Sequence, residues 1–214
     1  MSQTMAGIRL VSWDVDGTLF SHLRLSVAVV RVIAQCGMKT GWKNTLEQLH
    51  DTWRFHRTVE KQRQASNSMV IASELERFAD TYASECRALD SALGAIRPRS
   101  RALAMLRRFS SDGIPQVALS DFECGYKLTA LGINEHFTET YSCHNLGFWK
   151  PSPIPLVKIQ KDFGVPPSRH LHIGDRLDTD GAACAANGCR FMPIDHLPRP
   201  WKTFNRICAI SALE

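Results

Sequence analysis

The chain has 214 residues, of which 44% are hydrophobic and 22% charged, with a net charge of +5. Those proportions are ordinary for a globular protein, and the length suits one domain carrying a large insertion or two modest domains. No dense Lys/Arg block points to nucleic acid, no run of about 18 apolar residues points to a membrane span, and Met1 to Gly7 lacks the apolar core of a signal peptide.

Seven cysteines (Cys36, Cys86, Cys124, Cys143, Cys184, Cys189 and Cys208) form no Cys-x-x-Cys pair and are odd in number. They read as reduced, mostly buried thiols in a cytoplasmic protein rather than zinc ligands or a disulfide framework. The small positive surplus is compatible with a solvated surface and with anionic substrates such as phosphate esters.

Ile8 to Trp13 is the first expected strand. It runs into Trp13-Asp14-Val15-Asp16-Gly17-Thr18-Leu19, with two carboxylates two residues apart and a glycine that lets the chain turn. Side chains alternate across a strand, so Asp14 leaves the strand end in one direction and Asp16, beyond it, can fold back toward the same cavity. Carboxylates that close repel and call for a cation or a shared proton. From about Ser26 to Ala95 the pattern is helical, with no proline until Pro98, and reads as three to four helices. Their apolar rows are Val27, Val30, Ile33 and Ala34 (stopping at Gly37), Trp42, Leu46, Leu49 and Trp53, and Leu75, Phe78, Ala79 and Tyr82.

Beyond Pro98 strands and helices alternate. Helices are expected over Ser100 to Ser110, Phe122 to Leu131, Pro153 to Phe163 and Asp178 to Ala186, and strands over Val117 to Leu119, Phe137 to Ser142, His170 to Ile173 and Arg190 to Ile194. That alternation predicts an α/β fold, a mostly parallel sheet covered on both faces, with the helical insertion over the strand ends. The segment Asp195 to Glu214 has no legible role.

Three later stations resemble the first in kind. Ser120 ends an apolar strand, with Asp121 beside it at a helix start, where a hydroxyl and free N–H groups can hold an anion. Ser120 could equally be a plain helix cap. Lys150 precedes Pro151 and Pro153, and Asp175 follows Gly174, with Asp178 and Asp180 shortly after. Asp178 reads as the N-cap of its helix. His170 and His172 alternate on one strand and read as sheet-packing residues. Trp42, His50, Trp53, Arg54, His56, Arg57 and Arg63 form an aromatic and basic cluster in the insertion. It would either read a leaving group or pack a small core under solvated arginines. Trp149 would line the pocket or cover the sheet edge.

In order and spacing these four stations resemble the motifs of the haloacid dehalogenase superfamily, in its phosphatase branch. The resemblance implies a Rossmann-like core at residues 1–20 and 97–214, with a helical cap of the C1 type at 21–96. It further implies a magnesium-dependent phosphatase acting on a small phosphorylated metabolite. Asp14 would be the nucleophile that forms an aspartyl-phosphate, and Asp16 the general acid and base. Mg2+ would be held by Asp14, the backbone carbonyl of Asp16 and Asp175, with Asp180 in the second shell. Thr18, Ser120, Asp121 and Lys150 would contact substrate, Thr18 steadying the first loop and Lys150 offsetting charge. Hinges at Phe20–Arg24 and Ile96–Arg99 would let the cap close.

The dehalogenase members of that superfamily replace the second aspartate, so Asp16 argues against that activity. Leu19-Phe20-Ser21-His22 lacks the acid that follows the first motif in many relatives, which argues against the substrates of sugar-phosphate mutase and phosphoglycolate-type members. Phosphonate-cleaving members use a cap lysine, but no motif singles out Lys39, Lys43 or Lys61. The alternatives carried forward are a sugar-phosphate mutase and a non-catalytic binding protein on the same scaffold. No nucleic-acid or membrane partner is expected, and the protein is expected to be a monomer or homodimer.

Overall fold

A computed structural model describes residues 7–65 and 67–194. Five strands, β1 (Leu10–Trp13), β2 (Gln116–Ser120), β3 (Glu139–Ser142), β4 (His170–Gly174) and β5 (Arg190–Pro193), make one all-parallel sheet in the order β3-β2-β1-β4-β5. β1, β2 and β4 are buried along their whole length, as sheets covered on both faces require. The chain fills one side of β1 with β2 and β3, then crosses to the other side for β4 and β5. The topological switch therefore falls between β1 and β4, and the crevice beyond the carboxyl ends of strands at such a point is where open α/β sheets bind ligands.

Strand alternation sorts the core into two clusters. Val11 and Trp13 face Leu106, Phe109, Leu128 and Ile133 on one side of the sheet. Leu10 faces the other side, with Val117, Leu119, Trp149, Leu156 and Ile159. That second cluster continues without a break into Phe55, Val59, Leu75 and Phe78 of the helical insertion.

The insertion comprises α1 (His22–Thr40), α2 (Trp42–Gln64), α3 (Ala72–Glu76) and α4 (Ala79–Leu93). It differs from the sequence reading in two respects. Gly37 does not stop α1, which runs on to Thr40. A Cβ at Gly37 would sit 2.7 Å from the Trp42 ring, so this glycine is where α2 folds back closely over α1. Of the expected apolar rows, the third points inward as expected, with Leu75 and Phe78 buried, but the first two place residues outward. Val27, Val30, Trp42 and Leu46 are exposed, while Phe55, Val59 and Gln62 are buried. Phe55 wins the inward position because it joins a cluster of rings with Phe78, Tyr82 and Phe122, at centroid distances of 5.4–5.9 Å.

The remaining helices are α5 (Ser100–Ser111), α6 (Gly125–Ala130), α7 (Cys143–Leu146), α8 (Ile154–Phe163) and α9 (Ala182–Asn187). α6 starts later than the expected Phe122 because Phe122 is drawn into the insertion's rings. The expected helix from Asp178 begins as a π-type turn, Leu177–Gly181, before α9. Asp178 is not its N-cap: no side-chain cap bond forms, and the exposed carboxylate pairs with Arg176 at 2.7 Å. Cys124, Cys143 and Cys184 are buried free thiols, and Cys86 and Cys189 are half-buried free thiols. No described helix is long and apolar enough to cross a membrane. The stretch Asp195 to Glu214 lies outside the described residues.

Candidate active site

Asp14 follows β1, and its N–H donates to the carbonyl of Ile173 on β4 at 2.8 Å. Its carboxylate is met by two donors: Lys150 Nζ at 2.6 Å from Oδ1, and the Thr18 hydroxyl at 2.8 Å from Oδ2. Lys150 also reaches Asp180 Oδ1 at 2.7 Å. Asp14, Asp175 and Asp180 each present a carboxylate oxygen within 4.8 Å of the others. Residues from opposite ends of the polypeptide thus converge at the β1–β4 switch.

The electrostatics follow from burial. Desolvation pushes the Asp14 carboxyl well above the usual carboxylate range; Lys150 opposes this, while Asp180 and Asp175 add to it. For Lys150 burial works against the charge, but Asp14 and Asp180 outweigh it and hold the ammonium firmly protonated. Asp180 is buried too, and Lys150 and His172 still hold it below its ordinary range. Lys150 pairs with two of the three acids, Asp14 and Asp180. The donors of the cluster are all carboxylate oxygens, the hard ligand set that suits a hard divalent cation.

Gly174 has a steric reason. A Cβ there would lie 2.5 Å from Asp180 Oδ2, so only glycine lets Asp180 enter the cluster. The π-type turn aims Asp180 inward, where its Oδ2 accepts the Arg176 N–H at 3.1 Å. Between the two acids that the spacing left exchangeable, the structure brings Asp180 to the cluster and leaves Asp178 at the surface.

Asp16 stands outside the three-acid cluster. Lys127 of α6 grips both its oxygens, at 2.7 and 2.8 Å, and the buried Ser120 hydroxyl lies 3.3 Å from Oδ2. Lys127 is a residue the sequence reading missed. It sits mid-helix among apolar neighbours, and its burial follows only from the fold. Asp121 is taken by a different cation: Arg63 of α2 bonds its Oδ2 and also pairs with Glu60 at 2.7 Å.

The expected aromatic and basic cluster therefore splits. Arg63 turns inward and is buried, contrary to the solvated reading, and His56 turns inward to pair with Glu85 at 2.7 Å. His50, Trp53, Arg54 and Arg57 line a separate open cleft of about 340 Å³, together with Thr58, Lys61 and Arg77. Trp149 is fully buried and does neither of the two things expected of it. Its indole N–H donates to Gln62 Oε1 of α2 at 3.0 Å, tying the segment before Lys150 to the insertion. Trp149 N–H to Ser68 O (2.8 Å) and Val70 N–H to Gly147 O (2.9 Å) extend that seam. His170 and His172 are buried as expected, but they are hydrogen-bonded members of the site's underside rather than mere packing.

Together the parallel sheet and the acids at its switch point define an α/β fold with an inserted helical layer and an acidic site at its strand ends. Residues 8–188 match the haloacid dehalogenase-like hydrolase family, and the chain belongs to it. Over 182 residues it is 24% identical to a glyceraldehyde 3-phosphate phosphatase of Methanopyrus kandleri, covering 81% of this chain and 78% of that one. A shorter stretch of 60 residues is 42% identical to a phosphoglycolate phosphatase of Nitrosococcus oceani, covering 28% of this chain and 27% of that one. The fold superposes on a solved phosphatase of the same superfamily from Thermococcus onnurineus with a TM-score of 0.64, at 17% identity, over 89% of this chain and 88% of that one.

Proposed function

We propose that the chain is a phosphoric monoester hydrolase that cleaves a small phosphorylated metabolite through an aspartyl-phosphate on Asp14. The observation that carries this reading is the convergence of Asp14, Asp175, Asp180 and Lys150 at one strand-end crevice. The two phosphatases among its relatives support the same substrate class.

An Asp14 oxygen attacks phosphorus as the ester P–O bond breaks, and Asp16 gives its proton to the leaving alkoxide. Water then attacks the phosphorus of the aspartyl-phosphate, Asp16 takes the water's proton, and inorganic phosphate leaves with the Asp14 carboxylate restored. Thr18 orients the nucleophile by its bond to Oδ2. Ser120 and the N–H groups beside it hold phosphoryl oxygens, and Lys150 offsets the charge that builds on them. Asp14, Asp175 and the Asp16 carbonyl would hold Mg2+, with Asp180 behind them. Bound there, the ion would supply positive charge that offsets charge on the phosphoryl group.

The insertion at 21–96 acts as the cap over this crevice. Its two crossing segments are joined where Arg99 N–H donates to Leu19 O at 2.8 Å and Arg99 Nη2 donates to Gly17 O at 3.0 Å. Motion about this junction admits substrate and then excludes bulk water.

The test is hydrolysis of an aryl phosphate and of a panel of phosphorylated metabolites, three-carbon phosphates included, with and without Mg2+. Mg2+-dependent phosphate release that disappears in Asp14→Asn is the expected result. A folded protein that binds Mg2+ and hydrolyses nothing on the panel is a scaffold, and the reading falls.

A further inference from the structure

The geometry points to His172 as a positioning residue for Asp180, the last link in a directional chain of buried hydrogen bonds that holds this acid at the cation cluster. The inference rests on the reading of that cluster as a metal site.

Asp180, as a carboxylate, only accepts hydrogen bonds. Its partner His172 Nε2, at 3.3 Å, must therefore be the donor. That leaves His172 Nδ1 to accept, and the Ser12 hydroxyl lies 2.7 Å away. Having given its only hydrogen, Ser12 Oγ accepts from His170 Nε2 at 2.8 Å. His170 Nδ1 in turn accepts from the Gln160 amide at 3.0 Å. Gln160 and Asn187 close the far end as a reciprocal amide pair, at 2.5 and 3.1 Å. The acceptor-only end sets the direction of every bond, and every ring nitrogen in the chain is satisfied.

The strand register makes this possible. Ser12 stands opposite His172, and Leu10 opposite His170, so Ser12, His170 and His172 share one face beneath the cluster. The face is otherwise apolar, with Leu10, Leu119 and Ile159 nearby in the same core. Burying a serine and two histidines at the centre of a sheet costs stability unless each finds its partners, and apolar residues would fill the space without that demand. What the polar choice adds is a fixed donor aimed at Asp180. Phe191 holds the imidazole from β5, with ring centroids 6.4 Å apart. Lys150 and the Arg176 N–H bind Asp180 from other directions, so His172 completes a three-point grip. Partners of direct metal ligands are typically worth 10–100-fold in metal affinity, and His172, acting through Asp180 one step further out, falls at the low end of that range.

The experiment is titration calorimetry of Mg2+ into the unloaded full-length protein, with circular dichroism to check folding. His172→Leu is expected to weaken Mg2+ binding about 10-fold, and His172→Gln, whose amide can donate from a similar position, to restore most of it. Ser12→Ala cuts the chain one link back and gives a smaller loss in the same direction, which serves if His172→Leu does not fold. Folded His172→Leu or Ser12→Ala protein with wild-type Mg2+ affinity overturns the inference, even if its melting temperature has dropped. A wild-type protein that binds no Mg2+ removes the parent reading and this inference together; wild-type binding and hydrolysis with unaffected variants removes this inference alone.

Discussion

The site has two halves, and they are built differently. The half at the β1–β4 switch consists of acids that follow β1 and β4, Asp180 on the tight turn after β4, backed by a polar layer inside the sheet: Asp14 and Asp180 share Lys150, with His172, Ser12 and His170 underneath. The half beyond β2 consists of acids on loops, each held by a cation from a helix: Asp16 by Lys127 of α6 and Asp121 by Arg63 of α2. The first half is placed by the β1–β4 register and by the turn after β4. The second depends on where helices dock, and Arg63 comes from the insertion.

The comparison can be broken most forcefully at Lys150. Lys150→Met leaves three close carboxylates without their buried ammonium, and unpairing a buried charge costs about 3–5 kcal/mol. Chemical denaturation should show that loss, and saturating Mg2+ should recover part of it. No loss would mean that the switch-point cluster is not held by Lys150.

The second half is tested at Lys127. Lys127→Met should lower kcat by up to about 10², the lower end of what positioned acid–base catalysis contributes. Mg2+ affinity should stay unchanged, because the Asp16 carboxylate is outside the three-acid cluster. A parallel loss of Mg2+ binding would show that the halves are not separate.

A third test uses pH. Burial, with a smaller push from His172, lowers the His170 pKa from 6.5 to about 3. The unfolded chain therefore binds a proton below pH 6.5 that the folded chain refuses until about pH 3, and stability falls as pH drops through that window. Between pH 7 and pH 5 this group alone should cost on the order of 2 kcal/mol. Melting curves should show that slope, reduced in His170→Leu.

The smallest effect is expected at Asp178. Its pair with Arg176 is exposed, so Asp178→Asn should change stability by less than about 1 kcal/mol and leave activity intact. Asp180→Asn should abolish activity. The reverse outcome would exchange the two acids and undo the assignment of the first half.

Much of this was legible in the chain itself, for reasons of short range. The strand before Asp14, the turn after it, the alternation of elements beyond Pro98 and the acid after Gly174 are all encoded by local periodicity and by residues that permit only certain backbone paths. Trp13-Asp14-Val15-Asp16-Gly17-Thr18 and Gly174-Asp175 therefore announced a parallel sheet with acids at its edge. Facing directions were less legible. The rows Val27–Val30 and Trp42–Leu46 have helical spacing, but a spacing does not say which side of a helix meets the core. The choice went to Phe55 because the rings of Phe78 and Phe122 were there to receive it.

Only the tertiary structure could decide the partners. Lys127 and Asp16 are 111 residues apart, Arg63 and Asp121 are 58 apart, and Ser12 and His172 are 160 apart. No local signal links such pairs, because the energy that joins them arises when register and helix docking remove both groups from water together. The amino-acid order determined which acids the chain carries at its strand ends. Burial among particular neighbours decided which of them share Lys150, which pair with a cation from a helix, and why two histidines lie beneath them.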